Sequence, residues 1–179
     1  MLIHVIQHIQ CEGLGILEEI FTSQGHIINT ILLSDDHCIL TEDFGTSPDL
    51  LIILGAPFSV NDIQNYPFLA IEIKIIQKRM QLKRFTLGIC LGAQLITKAI
   101  GGDVVSTQPE IGWGKIKFST EGRNSILSPL QDINVLHWHG EECINLPNDI
   151  KPLASTNYTQ NQAFLIQNHT LGLQFHIEI

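Results

Sequence analysis

At 179 residues, with 44% hydrophobic and 16% charged side chains, the chain is long enough to bury one full core without staples, and it is read as a single domain over residues 1–179. A formal charge of −8 without a basic stripe argues against nucleic-acid binding, and no apolar run reaches the length of a membrane span. Cys11, Cys38, Cys90 and Cys143 lie far apart with no C-x-x-C pair and no secretory leader before them, so reduced thiols in a cytoplasmic protein are expected.

Leu2 to His8 alternates and predicts a first strand. Leu14, Leu17, Ile20 and Phe21 recur at helical spacing, predicting a helix over Gly13 to Gln24 that Gly25 stops. His26 to Leu33 and Leu50 to Leu54 read as apolar strands buried in a parallel sheet, with a helix over Ala70 to Leu82 after them. Phe85 to Ile89 is a fourth strand and Leu91 to Ile100 a helix closed by Gly101-Gly102. This alternation predicts an α/β fold with a doubly wound, mostly parallel sheet flanked by helices. Beyond Gly102 the pattern changes to short strands: Val104-Val105, Gly112 to Phe118, Asn134 to Trp138, Lys151 to Ser155, Ala163 to Gln167 and Leu171 to His176. An antiparallel extension is therefore expected in the second half, folded back so that its last strand brings His176 near the strand-to-helix turn at Cys90.

Gly88-Ile89-Cys90-Leu91-Gly92 follows an apolar strand and opens a helix. This is the cysteine form of the nucleophile elbow, whose flanking glycines spare the tight turn a Cβ clash. The helix N-terminus favours a thiolate at Cys90. Leu173 to Ile179 delivers His176 as a base, and Glu178, two residues on, is expected on the same strand face to orient it. An oxyanion would be met by the N–H of Leu91 and by one from the Gly55-Ala56-Pro57 turn after the third strand, where Gly55 lets the backbone approach closely. Cys11, Cys38 and Cys143 are assigned to inert packing, and Gly112-Trp113-Gly114 can be a turn with a packed indole. His137 and His139 could join His176 and Glu178 as metal ligands, but neither a cysteine pair nor H-E-x-x-H accompanies them. Neither metal nor cofactor is expected.

Several segments together resemble the class I glutamine amidotransferase family, in the stand-alone branch similar to the amidotransferase domain of GMP synthetase. They are Glu12-Gly13-Leu14-Gly15, Leu54-Gly55-Ala56-Pro57 with Asp62 and Pro67, and Leu87 to Leu95 with Gly101-Gly102. Ile111-Gly112-Trp113, His137-Trp138-His139-Gly140, Gln162-Ala163-Phe164 and Gly172 to His176 complete the set. The resemblance implies a flavodoxin-like fold and hydrolysis of the glutamine γ-amide through a thioester on Cys90, releasing ammonia. His176 would be the base, Glu178 its orienter, Gly55 and Leu91 the oxyanion donors, and Gln94, Trp138 and His139 contacts to the glutamine end of the substrate. Where the family has Gly and Pro, this chain has Ala56 and Ile177, the latter costing stiffness. The family also continues into a further helix, so a chain ending at Ile179 is expected to lack it and to be weakly active or inactive by itself.

Two partners are open on this reading: a separate synthetase subunit that accepts the ammonia, and a second copy of the chain. Three rival functions stand beside it. One is a hydrolase of γ-glutamyl amines or peptides, another a non-catalytic glutamine-binding relative. The third is a small Cys-elbow hydrolase or chaperone, disfavoured because its His lies close after the elbow.

Overall fold

The computed structural model describes residues 1–34 and 39–179, so the packing expected of Cys38 lies outside the described residues. An eight-stranded sheet runs through the centre. Its strands are β1 (Leu2–Gln7), β2 (Ile27–Leu32), β3 (Leu50–Ile53), β4 (Phe85–Ile89), β6 (Lys117–Phe118), β8 (Pro152–Ser155), β9 (Ala163–Ile166) and β10 (Thr170–Leu173). Their order is β2-β1-β3-β4-β10-β9-β8-β6. A separate antiparallel ribbon pairs β5 (Asp103–Lys115) with β7 (Asn134–Ile144). The helices are α1 (Ile16–Ser23), α2 (Glu42–Thr46), α3 (Phe68–Gln81), α4 (Leu91–Ala99) and α5 (Thr120–Arg123).

Period-two alternation buries both faces of β3. Leu51 and Ile53 pack with Leu69, Ile75 and Ile76 of α3 and with Leu95 and Ile96 of α4. Ile52 and Leu54 join Ile3, Val5 and Ile89 on the opposite face, where Leu17 and Phe21 of α1 lean on them. Helices therefore cover both faces, as the doubly wound reading requires. The chain adds β2 on one side of β1 and β3 on the other, creating a topological switch between β1 and β3. The loops after β1, β3 and β4 open at this carboxyl edge, the place where open α/β sheets hold ligands.

Three expectations need correction. β2 is the edge strand, not a buried one: it pairs only with β1, and Ile27 is 64% exposed. An apolar run reports affinity for a half-covered surface and cannot separate an edge from a centre. The short strands expected at Val104-Val105 and Gly112 to Phe118 are mostly one long strand, β5, carrying a register shift between Ser106 and Glu110 where Pro109 interrupts. Gly112-Trp113-Gly114 lies within it, and the Trp113 indole is 61% exposed, not packed. The second half is antiparallel through β6, β8, β9 and β10, yet β10 itself runs parallel to β4, with Gly172 opposite Gly88.

Candidate active site

Cys90 caps α4 with φ 52° and ψ −105°, a strained left-handed conformation for a residue with a Cβ. The flanking glycines explain how the turn closes. A Cβ on Gly88 would collide with the Gly92 backbone and stand 2.6 Å from Ile96 Cδ1, and one on Gly92 would strike the Ile53 carbonyl. The elbow is thus wedged against the end of β3. The Cys90 N–H donates to the Leu173 carbonyl at 2.8 Å, tying the apex to the end of β10.

β10 stops at Leu173, and the following residues leave the sheet. His176 and Glu178 therefore do not share a strand face as the alternation predicted; they meet through a turn. The His176 N–H donates to the Leu136 carbonyl of β7 at 2.9 Å. Its Nδ1 lies 2.6 Å from Glu178 Oε1, while Glu178 Oε2 accepts from the Ile177 N–H at 2.9 Å. Ile177, expected to loosen this segment, thus supplies a donor that Pro lacks. The Glu178 carbonyl accepts from the Ile16 N–H at 2.9 Å, where a Cβ on Gly15 would clash with it. Burial disfavours a charge on His176, but its interactions with Cys90 and Glu178 prevail and push its pKa up to about 10. His176 Nε2 has no hydrogen-bond partner among the described residues, so the proton it carries as an imidazolium is free to pass to a bound substrate.

These groups open onto a cavity of about 560 Å³, lined by Cys90, His176, Glu178, Gln94, Trp138 and His139 among others. Gly55 lies beneath it, its absent Cβ leaving 3.4 Å to both Cys90 Cβ and His176 Cε1. Neither Leu91 N–H nor the N–H groups of Gly55 and Ala56 meet an acceptor among the described residues. Trp138 is 63% exposed at the cavity wall, with its carbonyl 4.0 Å from Cys90 Sγ. The buried Gln174 amide donates to Cys90 Sγ at 3.8 Å. His139 lines the wall with both nitrogens committed: Nδ1 donates to the Glu141 carbonyl at 3.0 Å and Nε2 accepts from Gln162 Nε2 at 3.2 Å. Burial holds its pKa below the usual value despite nearby Glu110, in keeping with a neutral ring.

The sequence reading passed over several groups here. Glu12 figured only as part of a motif, yet its carboxylate rests against Gly55 inside the cavity. Burial raises its pKa, while His176 and His8 pull the other way. Glu141 lines the mouth and accepts from Ser59 Oγ at 2.7 Å, joining the β3 loop to β7. Nothing in the local sequence announces that contact. Cys11 is not packed but exposed at the cavity rim, whereas Cys143 is buried as expected, its pKa pushed up to about 12 mainly by burial. Among the described residues, metal-type donors converge at Glu110, His137 and His139, all within 4.8 Å, and not at His176 and Glu178. Glu110 Oε2 there already accepts from Thr156 Oγ1 and Gln162 Nε2, each at 2.9 Å.

The family model described as glutamine amidotransferase class-I matches residues 20–179. A glutamine-hydrolyzing GMP synthase subunit of Sulfurisphaera tokodaii is 31% identical over 156 residues, covering 85% of this chain and 77% of that one. Its counterpart in Saccharolobus solfataricus is 35% identical over 135 residues, 73% of this chain and 68% of that one. The chain spans only 28% of the longer GMP synthase of Prochlorococcus marinus, at 30% identity over 84% of this chain. A crystal structure of a glutamine amidotransferase from Thermotoga maritima superposes with a TM-score of 0.87 at 27% identity, over 100% of this chain and 76% of that one. Matched over most of its length by the family pattern, and by relatives that carry it, the chain belongs to the class-I glutamine amidotransferase family.

Proposed function

We propose that the protein hydrolyses the γ-amide of glutamine through a thioester on Cys90 and hands the ammonia to an acceptor on a separate synthetase subunit. Cys90 Sγ attacks the amide carbon, and the resulting oxyanion is received by the N–H groups of Leu91 and of the Gly55 turn. His176, held by Glu178, gives its proton to the departing nitrogen, which leaves as ammonia. His176 then takes a proton from water as that water attacks the thioester, releasing glutamate and the thiol. Gln94 and Trp138 border the space for the amino-acid end of the substrate. His139 shapes that wall, its nitrogens being engaged elsewhere. The observation carrying this reading is that an elbow cysteine and a His–Glu pair 2.6 Å apart open onto one cavity.

One observation favours a second reading, cleavage of a γ-glutamyl amine. The cavity lining includes Glu12, Glu141 and Glu178 but neither Lys nor Arg, which suits a substrate with an extra ammonium group. Measuring glutamate release from glutamine and from a series of γ-glutamyl amines separates the two. The primary reading expects glutamine to have the highest kcat/KM, with ammonia formed in equal amount and no turnover in Cys90→Ala. A kcat/KM at least tenfold higher for a cationic γ-glutamyl amine would replace it with the second.

A further inference from the structure

The chemistry above leaves a buried ion pair without a task. His8 follows β1 and is 2% exposed, and Glu72 on α3 is fully buried. His8 Nε2 lies 3.1 Å from Glu72 Oε1, and its Nδ1 lies 3.1 Å from the Gly55 carbonyl oxygen. A carbonyl and a carboxylate both accept, whereas a neutral imidazole has one N–H to give. Both contacts are therefore satisfied by an imidazolium facing a carboxylate. Burial opposes that charge, but Glu72, the Gly55 carbonyl and Glu12 outweigh it and raise the His8 pKa. The Phe58 and Phe68 rings, with centroids 5.8 and 6.0 Å from that of His8, flank the pair. Such a pair is a poor source of stability compared with apolar packing, the more so because Glu72 Oε2 has no partner among the described residues.

What the pair does fix is one peptide plane. With the Gly55 carbonyl turned to His8, the trans peptide sends the Ala56 N–H to the opposite side. Ala56 lines the cavity that holds Cys90, and its N–H meets no acceptor among the described residues. We propose that His8, clamped by Glu72, is a positioning residue that aims the Gly55–Ala56 peptide so that the Ala56 N–H joins that of Leu91 in receiving the oxyanion. This rests on the thioester chemistry proposed above and refines it, since the sequence pointed to Gly55 itself as the donor.

The test compares two reactions of Cys90 that differ in their need for an oxyanion site. Amide hydrolysis needs one, whereas alkylation by iodoacetamide displaces iodide and builds no oxyanion. His8→Leu should lower kcat for glutamine by about 10²–10³-fold, the usual loss for one such donor, with KM changed less than threefold. Alkylation at Cys90, followed by peptide mass spectrometry to exclude Cys11, should keep its parental rate. His8→Asn, which retains a donor towards the Gly55 carbonyl, should recover at least tenfold of the lost kcat. If His8→Leu does not fold, Glu72→Gln carries the test, with kcat lowered about tenfold and alkylation unchanged. Unchanged kcat in the folded variant, or hydrolysis and alkylation falling in parallel, overturns the proposal. A parent chain that is alkylated at Cys90 yet hydrolyses no γ-glutamyl amide overturns the function reading and this inference with it. With an active parent, the outcome bears on His8 alone.

Discussion

Glu178 is held at three points: Oε1 by His176, Oε2 by the Ile177 N–H, and its carbonyl by the Ile16 N–H. A carboxylate fixed in this way can set the imidazole's tautomer and stabilise its charge. Glu178→Gln should therefore reduce kcat by about 10²–10⁴-fold while KM for glutamine stays within a few-fold, because the loss falls on the transition state. The same variant has a second readout. Folding raises the His176 pKa from 6.5 to about 10, so the stability this proton contributes is complete below pH 6.5 and is lost as pH rises towards about 10. Glu178 is one cause of that shift, so the parent's advantage over Glu178→Gln in denaturant unfolding should narrow across this interval. An advantage that widens with pH would contradict it. Cys90, His176 and Glu178 were legible in the sequence because a tight elbow and a short terminal motif each leave a local trace. Glu12, Glu141 and His8 were not read as site residues, since their contacts join positions from 43 to 82 residues apart.

Among the elements, α3 links the core to the site. Its Glu72 holds His8, and its fully buried Arg79 ties together three neighbouring segments. Arg79 donates to the carbonyls of Gly45, Pro48 and Asp49, to Thr86 Oγ1, and to the Phe85 carbonyl at the start of β4. Arg79→Met would fit the stem but strand several buried acceptors, each worth about 1–3 kcal/mol when unpaired. The variant should lose about 3 kcal/mol or more in urea unfolding, and a loss below about 1 kcal/mol would contradict this account of α3. Helical periodicity placed α3, beginning it at Ala70 where the structure begins it at Phe68. The ribbon was less legible. Pro109 and the shifted register beside it break β5 into pieces that look independent until β7 pairs with both. The edge position of β2 was hidden for a different reason, because strand order is a property of pairing and not of any one strand's composition.

At the scale of the whole molecule, the switch between β1 and β3 gathers the site at one edge of the sheet. It brings His8 and Glu12 after β1, Gly55 after β3 and Cys90 after β4 to one place, and β10 lies beside β4 to deliver His176. The alternation of strands and helices in the first half made this class of sheet legible, whereas the parallel insertion of β10 next to β4 joins residues more than 80 apart and left no local signal. Among the described residues, the thiols fall into different environments as a result: Cys90 within the site, Cys11 exposed at its rim and Cys143 buried behind Gln174. The central claim is that a γ-glutamyl group is transferred to Cys90, and capture of that residue by a glutamine-like diazoketone tests it most directly. Intact and peptide mass spectrometry should find one adduct per chain, at Cys90, with glutamine protecting against it and His176→Ala slowing its formation at least tenfold. Stable labelling of Cys11, Cys38 or Cys143 with Cys90 untouched, or labelling of Cys90 that glutamine does not slow, would contradict the account.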